Sequence, residues 1–375
     1  TEQISALETS DIKALKTNQL AVLSSDQVSG LTTASMQVMS GIQLASFTST
    51  QLSGLSTDQL NALDTAALKS LKSSQVALLS TDQLKGLDTE AISSLTSAQI
   101  IGLTTEQVSL LNSDQLTALS SAQISALTTT QIRALTTEQL NSLETADLAT
   151  LKTSQIAALT TDQLQSLDSE SVVALTSSQI SSLTTAQLKA LTTEQLNNLE
   201  AVDIAALKTN QIAALSTEQL VGLDSDAIKA MTTAQIGALS TAQIKTLASD
   251  QLQALESADV KALKSAQIAA LTTEQVQSLS SETIGYLTTA QIGALTTEQV
   301  SKLATDQIVA LTSAQLGVMT TSQIKALNTE QLNALESADL AALKTSQIAA
   351  LSTEQLQGLD SDAMAALTTA QIGAL

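Results

Sequence analysis

The sequence predicts an all-α repeat solenoid of short capped helical turns, one eight-residue unit per turn and bend, wound into an elongated superhelix. Three observations predict it. One octad runs through the chain without a slip. A capping box and a hydrophobic staple recur in one phase of that octad. Acidic and basic residues are sorted to opposite ends of the same unit.

Positions are numbered by residue number modulo eight. Position 4 is Ile, Leu, Val or Met from Ile4 to Ile372, and position 7 is Leu from Leu7 to Leu375 except at Met39, Phe47, Met231 and Met319. One continuous helix fails on phase, because eight residues at ~100° each let the apolar stripe drift about 80° per octad. The helix is therefore expected to restart in every unit. Thr288 followed by Gln291 shows how: the hydroxyl accepts from the third helical amide while the Gln side chain reaches back to the N-cap amide. With Thr288 as N-cap, Leu287 and Ile292 take the two places of a hydrophobic staple.

The charges keep this register. Acids such as Asp58, Asp82, Glu106, Glu138 and Glu298 occupy position 2, near the positive helix end, whereas Lys13, Lys85, Arg133, Lys189 and Lys245 occupy position 5. A β-solenoid is the rival architecture, since Thr, Ile and Val form strands. The three-and-five apolar spacing breaks a two-residue alternation, however, and turn-forming Gly, Asn and Pro are scarce or absent. Positions 4 and 7 are thus expected inside, Ala at position 6 at close approaches, and Ser, Thr and Gln outside or capping.

Residues 1–375 read as one uninterrupted array. Thr1 enters at position 1 and Leu375 leaves at position 7, without an initiator Met, signal peptide or polar capping repeat. Solenoids need covered ends, so a longer array or neighbouring protomers are expected. The stretch 1–60 holds the most degenerate octads, with Ser40 and Gly41 replacing the Thr pair, Ile42 at position 2 and Phe47 at a Leu site.

A larger unit is superposed on the octad. Position 3 is Gln except at pairs three octads apart: Asp11 and Ser35, Ala67 and Ala91, Asp147 and Ser171, Asp203 and Ala227, Asp259 and Thr283, Asp339 and Ala363. Successive pairs start seven or ten octads apart. Unequal duplication accounts for that spacing. The same unit carries an acid and then a base at position 0, one octad apart: Glu8 and Lys16, Asp64 and Lys72, Glu144 and Lys152, Glu200 and Lys208, Glu256 and Lys264, Glu336 and Lys344. If successive octads are neighbours, these are inter-repeat or inter-chain contacts that fix register at ~0–1 kcal/mol each. A seven-octad period also fits a non-integral coil, such as seven octads in two turns.

Composition excludes several functions. A net charge of −20 with one Tyr, one Phe and no Trp offers nucleic acid neither a basic groove nor a stacking platform. No apolar run is long enough to span a bilayer. Without His or Cys there is no imidazole base, thiolate or common transition-metal site, so no enzyme and no cofactor is expected. Asp224-Ser225-Asp226 and Asp360-Ser361-Asp362 space their acids as calcium ligands do, but without the Gly turn and downstream Glu of a calcium loop; an N-cap plus a first-turn acid is the preferred reading. Thr ladders raise ice binding as an alternative, although Lys and Glu interrupt the row.

Runs such as Leu-Thr-Thr-Glu-Gln-Leu-Asn-Ser-Leu (135–143) and Leu-Thr-Thr-Ala-Gln-Ile-Gly-Ala-Leu (287–295) resemble the Thr-Thr-x-Gln tandem arrays of very large secreted or cell-surface adhesin-like proteins of Gram-negative bacteria. The resemblance covers the whole chain. It implies a structural, self-associating extracellular fibre or adhesin stalk, with the chain's own copies as partners and no membrane insertion. Some relatives of this kind are labelled haem-utilisation proteins; that role is not carried over, because Tyr286 and the Met residues are isolated and no His or Cys is present. An intracellular protein-binding scaffold is the alternative of a different kind.

Overall fold

Helices restart once per octad because each one is capped at the same position. The computed structural model describes Glu2–Leu375, and the described residues form 47 short α-helices and no strand. Helix Thr289–Ala294 is representative. Its N-cap, Thr288, is extended at φ −70° and ψ 159°, and its hydroxyl accepts from the Gln291 amide at 3.3 Å. Gln291 Oε1 accepts in return from the Thr288 amide at 2.7 Å. Four to six residues are far fewer than the ~12–15 a free helix needs in water, so capping and packing must hold every one.

The helices end without a left-handed glycine. Leu295, at φ −56° and ψ 136°, turns the chain back into extended backbone while its amide donates to Ile292 O at 3.2 Å. Among the described residues none has positive φ. The scarcity of Gly and Pro that argued against strands therefore costs this fold nothing: an extended position 7 residue, such as Leu295 or Met319, makes the bend.

Contacts group the chain into two units, Thr1–Leu191 and Thr192–Leu375. Within each, helices pack three octads apart, as Thr289–Ala294 does on Ser313–Val318 and Ser97–Gly102 on Ser73–Val76. Side-chain bonds also reach back four octads less a few residues, with separations of 28 and 31 residues from Gln43 to Leu15 and Ile12. One turn of the coil therefore takes more than three octads and fewer than four, the non-integral winding that a seven-octad period fits.

Positions 4 and 7 form the core as expected: Ile292 is fully buried and Leu295 5 % exposed. Each such side chain contributes ~1.5–3 kcal/mol of burial. Gln at position 3 caps as expected and, beyond the first octads, is also buried; Gln51, Gln99, Gln155, Gln251 and Gln307 are each 1 % exposed.

Candidate functional site: the glutamine ladder and its seams

A buried amide has to be satisfied at both ends, and the coil supplies the partners. Gln291 Nε2 donates to Val260 O and to Leu263 O, at 2.7 Å each, while Oε1 takes the N-cap amide of its own helix. Gln323 repeats this on Ile292 O at 2.9 Å and Leu295 O at 2.7 Å. The acceptors are carbonyls at the C-terminal end of each helix; Ile292 O, which already accepts from the Leu295 amide, takes Gln323 as a second donor. One side chain thus closes a helix start on its own turn and a helix end on the turn before. Among the described residues no buried side-chain nitrogen or oxygen lacks a partner.

Where the N-cap side chain cannot accept, the Gln half persists alone. Lys152, Ala248 and Ala304 make no side-chain cap, yet their amides donate to Gln155, Gln251 and Gln307 Oε1 at 2.7, 2.8 and 2.9 Å. All twelve residues of the acid-then-base set are exposed and stand at N-caps: Glu8, Lys16, Asp64, Lys72, Glu144, Lys152, Glu200, Lys208, Glu256, Lys264, Glu336 and Lys344. Acid and base are neighbours along the chain, whereas the surfaces laid together are three octads apart. Asp64 accordingly lines a notch of about 550 Å³ with Asp88 and Glu90. Glu144 lines one of about 420 Å³ with Asp168 and Glu170.

These notches coincide with the octads that lack Gln. The three-octad pairing brings two such octads into contact: Thr65–Ser70 on Thr89–Ser94, Thr145–Thr150 on Ser169–Val173, Ala201–Ala206 on Ser225–Lys229, Ser257–Ala262 on Ser281–Tyr286, and Ser337–Ala342 on Ser361–Ala366. The defects face each other and form seams in the ladder. A duplication history does not by itself require that; the winding of the coil does.

A second amide patches three of the seams. Asp88 caps an octad whose position 3 is Ala91, so no Gln is there to take its N–H; Asn61 Oδ1, 27 residues back, accepts it at 3.1 Å, and Asn61 Nδ2 donates to Gly86 O at 2.8 Å. Asn197 does the same for Asp224 and Gly222, and Asn333 for Asp360 and Gly358. Glycine sits at a close approach there: a Cβ on Gly86 would stand 2.2 Å from Thr57 Cγ2, and one on Gly222 2.5 Å from Thr193 Cγ2. Sequence reasoning passed over these Asn residues. Their signal was present, since Asn61, Asn197 and Asn333 all precede the N-cap of an octad without Gln by the same interval.

Electrostatics follow from the caps. Asp168 is held below the usual carboxylate range by the Ser171 amide and then by its hydroxyl. Asp259 is pushed up by burial, with the Glu256 backbone bond opposing and the Glu256 charge adding. Asp224 and Asp360 cap the helices that follow them, accepting from Ala227 and Ala363 amides at 2.8 Å each. Among the described residues no group of three or more Asp or Glu side chains is placed to hold a metal ion. Tyr286 bonds Glu282 through its hydroxyl and lies 5.9 Å from Lys261 Nζ at its ring centre.

Fold and interior together define an octad-repeat α-solenoid whose turns are joined by buried glutamines. The chain belongs to the ALTTAQ repeat family, whose model matches residues 4–41, 57–89, 110–143, 140–177, 172–201, 196–233, 228–257, 252–289, 284–313, 300–336, 332–369 and 347–375. That hexapeptide stands in full at residues 366–371. The stretch from Ile42 past Phe47, where octads are most degenerate, falls between two matches. No curated protein matches the chain. Among solved structures, that described as "Structure of APUM23-GGAAUUGACGG" aligns at 13 % identity over 100 % of this chain and 89 % of the other, with a TM-score of 0.21. At that score the alignment carries no argument about fold or function.

Proposed function

We propose that this tandem-repeat protein is a non-enzymatic structural element that bears length and contacts its own copies in an extracellular or cell-surface assembly. What supports the reading is where the polar chemistry goes. The buried amides are committed to the chain's own backbone, and the polar surface is mostly short hydroxyls and acids, with a net charge of −20 for the chain. Such a surface keeps an array soluble and discourages nucleic acid and anionic membranes. Among the described residues no helix is long and apolar enough to cross a membrane. The sequence resemblance to adhesin-like arrays of Gram-negative bacteria supports the cell-surface setting, and the recurring charges at position 0 supply a register for lateral contact.

Electron microscopy and light scattering of the purified chain at micromolar concentration test this. Rods or fibres whose lateral association weakens with added salt are expected. A monomer under all such conditions overturns it. Capture of an intracellular partner by that monomer would establish the scaffold alternative, and faceted ice growth the ice-binding one.

A further inference from the structure

The seams hold something the laddered turns do not, a buried carboxyl in the glutamine slot. Asp147, Asp203, Asp259 and Asp339 occupy position 3 at 4–8 % exposure. A Gln in that slot accepts from the N-cap amide and donates to two carbonyls of the previous turn. An ionised Asp only accepts: Asp259 Oδ2 takes the Glu256 amide at 3.2 Å, and Asp339 Oδ1 takes the Ser313 hydroxyl at 2.6 Å. It has no proton for the previous turn.

The groups around Asp259 favour its neutral form. At Asp259 its own helix carries Glu256, at the N-cap, and Lys261, which is placed over the Tyr286 ring. Of the helices packed against it, Thr233–Ala238 bears no titratable residue, and Ser281–Tyr286 brings Glu282 and Tyr286, which bond each other. Four octads back, Ser225–Lys229 adds Asp226 and Lys229; four octads on, Thr289–Ala294 adds none.

We propose that the Asp259 seam is an acid-tightened joint: ionised, it is where its turn opens first, and protonated, it closes. Protonation removes a buried charge from among other acids and supplies one O–H donor to a slot built for donors. The direction at Asp259 agrees. Burial holds its folded carboxyl above the ordinary value of 3.8, so its stabilising contribution is complete below that pH and is lost as pH rises through the raised folded value. With such a joint the turn at Ser257–Ala262 stiffens in mild acid and loosens toward neutrality, while the glutamine turns, which do not titrate, stay as they are.

Hydrogen exchange of the full chain, followed by mass spectrometry from pH 4 to 7.5 and corrected for intrinsic rates, tests the proposal. Protection of Ser257–Ala262, relative to laddered Thr321–Ala326, should fall severalfold as pH rises. In Asp259→Asn and Asp259→Gln that fall should vanish, with Gln also raising protection at pH 7.5. A relative protection that does not change with pH in the unmodified chain overturns the proposal, and so does a fall that survives in the Asn variant. The unmodified profile decides even where a variant fails to fold.

Discussion

Helices Thr289–Ala294 and Ser337–Ala342 have the same length, the same phase and the same extended Leu at their ends, and they differ at position 3. Gln291 there makes three bonds, two of them to the previous turn, whereas buried Asp339 accepts from the Ser313 hydroxyl. Apolar positions 4 and 7 are alike in both. The core therefore specifies that a coil forms, and position 3 specifies how firmly consecutive turns are tied. Local stability in a repeat array is a sum of unit and neighbour terms, so the two kinds of turn should open independently.

The most damaging way to test the comparison is to turn a laddered octad into a worse seam. Gln291→Glu places a charge against two carbonyls that had donors and should cost about 3–5 kcal/mol of local opening free energy by hydrogen exchange. A cost under about 1 kcal/mol would mean that the cross-turn bonds add little. Next in size is the patch beside a seam. Gly222→Ala drives a Cβ to 2.5 Å from Thr193 Cγ2 and should destabilise by about 1–3 kcal/mol, while Gly317→Ala, with nothing within 4 Å, should be neutral or stabilising by about 0.5–1 kcal/mol. Equal effects would remove the close approach from the account.

Smaller effects come from the cap. Thr296 accepts from the Gln299 amide at 3.1 Å, so Thr296→Ala should cost about 0.5–2 kcal/mol and Thr297→Ala less. The value should lie toward the low end, because Gln299 Oε1 still holds the Thr296 amide, as Gln307 does at natural Ala304. Asp168 should show the smallest change, with the opposite sign to Asp259. Its folded carboxyl is depressed, so its contribution is present above the ordinary Asp value and is lost as pH falls through the lower folded one. Protection of Ser169–Val173 in Asp168→Asn should lose that acid dependence.

Much of this was legible in one sequence. Thr288, Gln291, Leu287 and Ile292 disclose cap, box and staple because those contacts are local, all within a single octad's length. The second role of Gln was hidden for the converse reason: its acceptors lie 28 and 31 residues away, and no local pattern marks a carbonyl as unsatisfied. Gln at position 3 therefore read as a polar cap on the surface. The three-octad pairing of Asp259 with Thr283 was visible, yet it read as history until the winding put the two helices in contact. Burial of Asp339 runs against its residue type, and only the packed coil discloses it.

The central claim is that each turn is bound to the one before it, about three and a half octads back along the chain rather than to the adjacent octad. The chain has no Cys, so a single engineered pair reads this cleanly. A Cβ on Gly54 would stand 3.2 Å from Ser25 Cβ, a few tenths of an ångström from the separation a disulfide needs. In Ser25→Cys/Gly54→Cys, mild oxidation should close an intrachain bridge in nearly all molecules without loss of helical signal, and urea strong enough to unfold the chain before oxidation should abolish that efficiency. Failure of the bridge to form in the folded chain, or formation only with loss of helix, would contradict the winding and the glutamine ladder built on it.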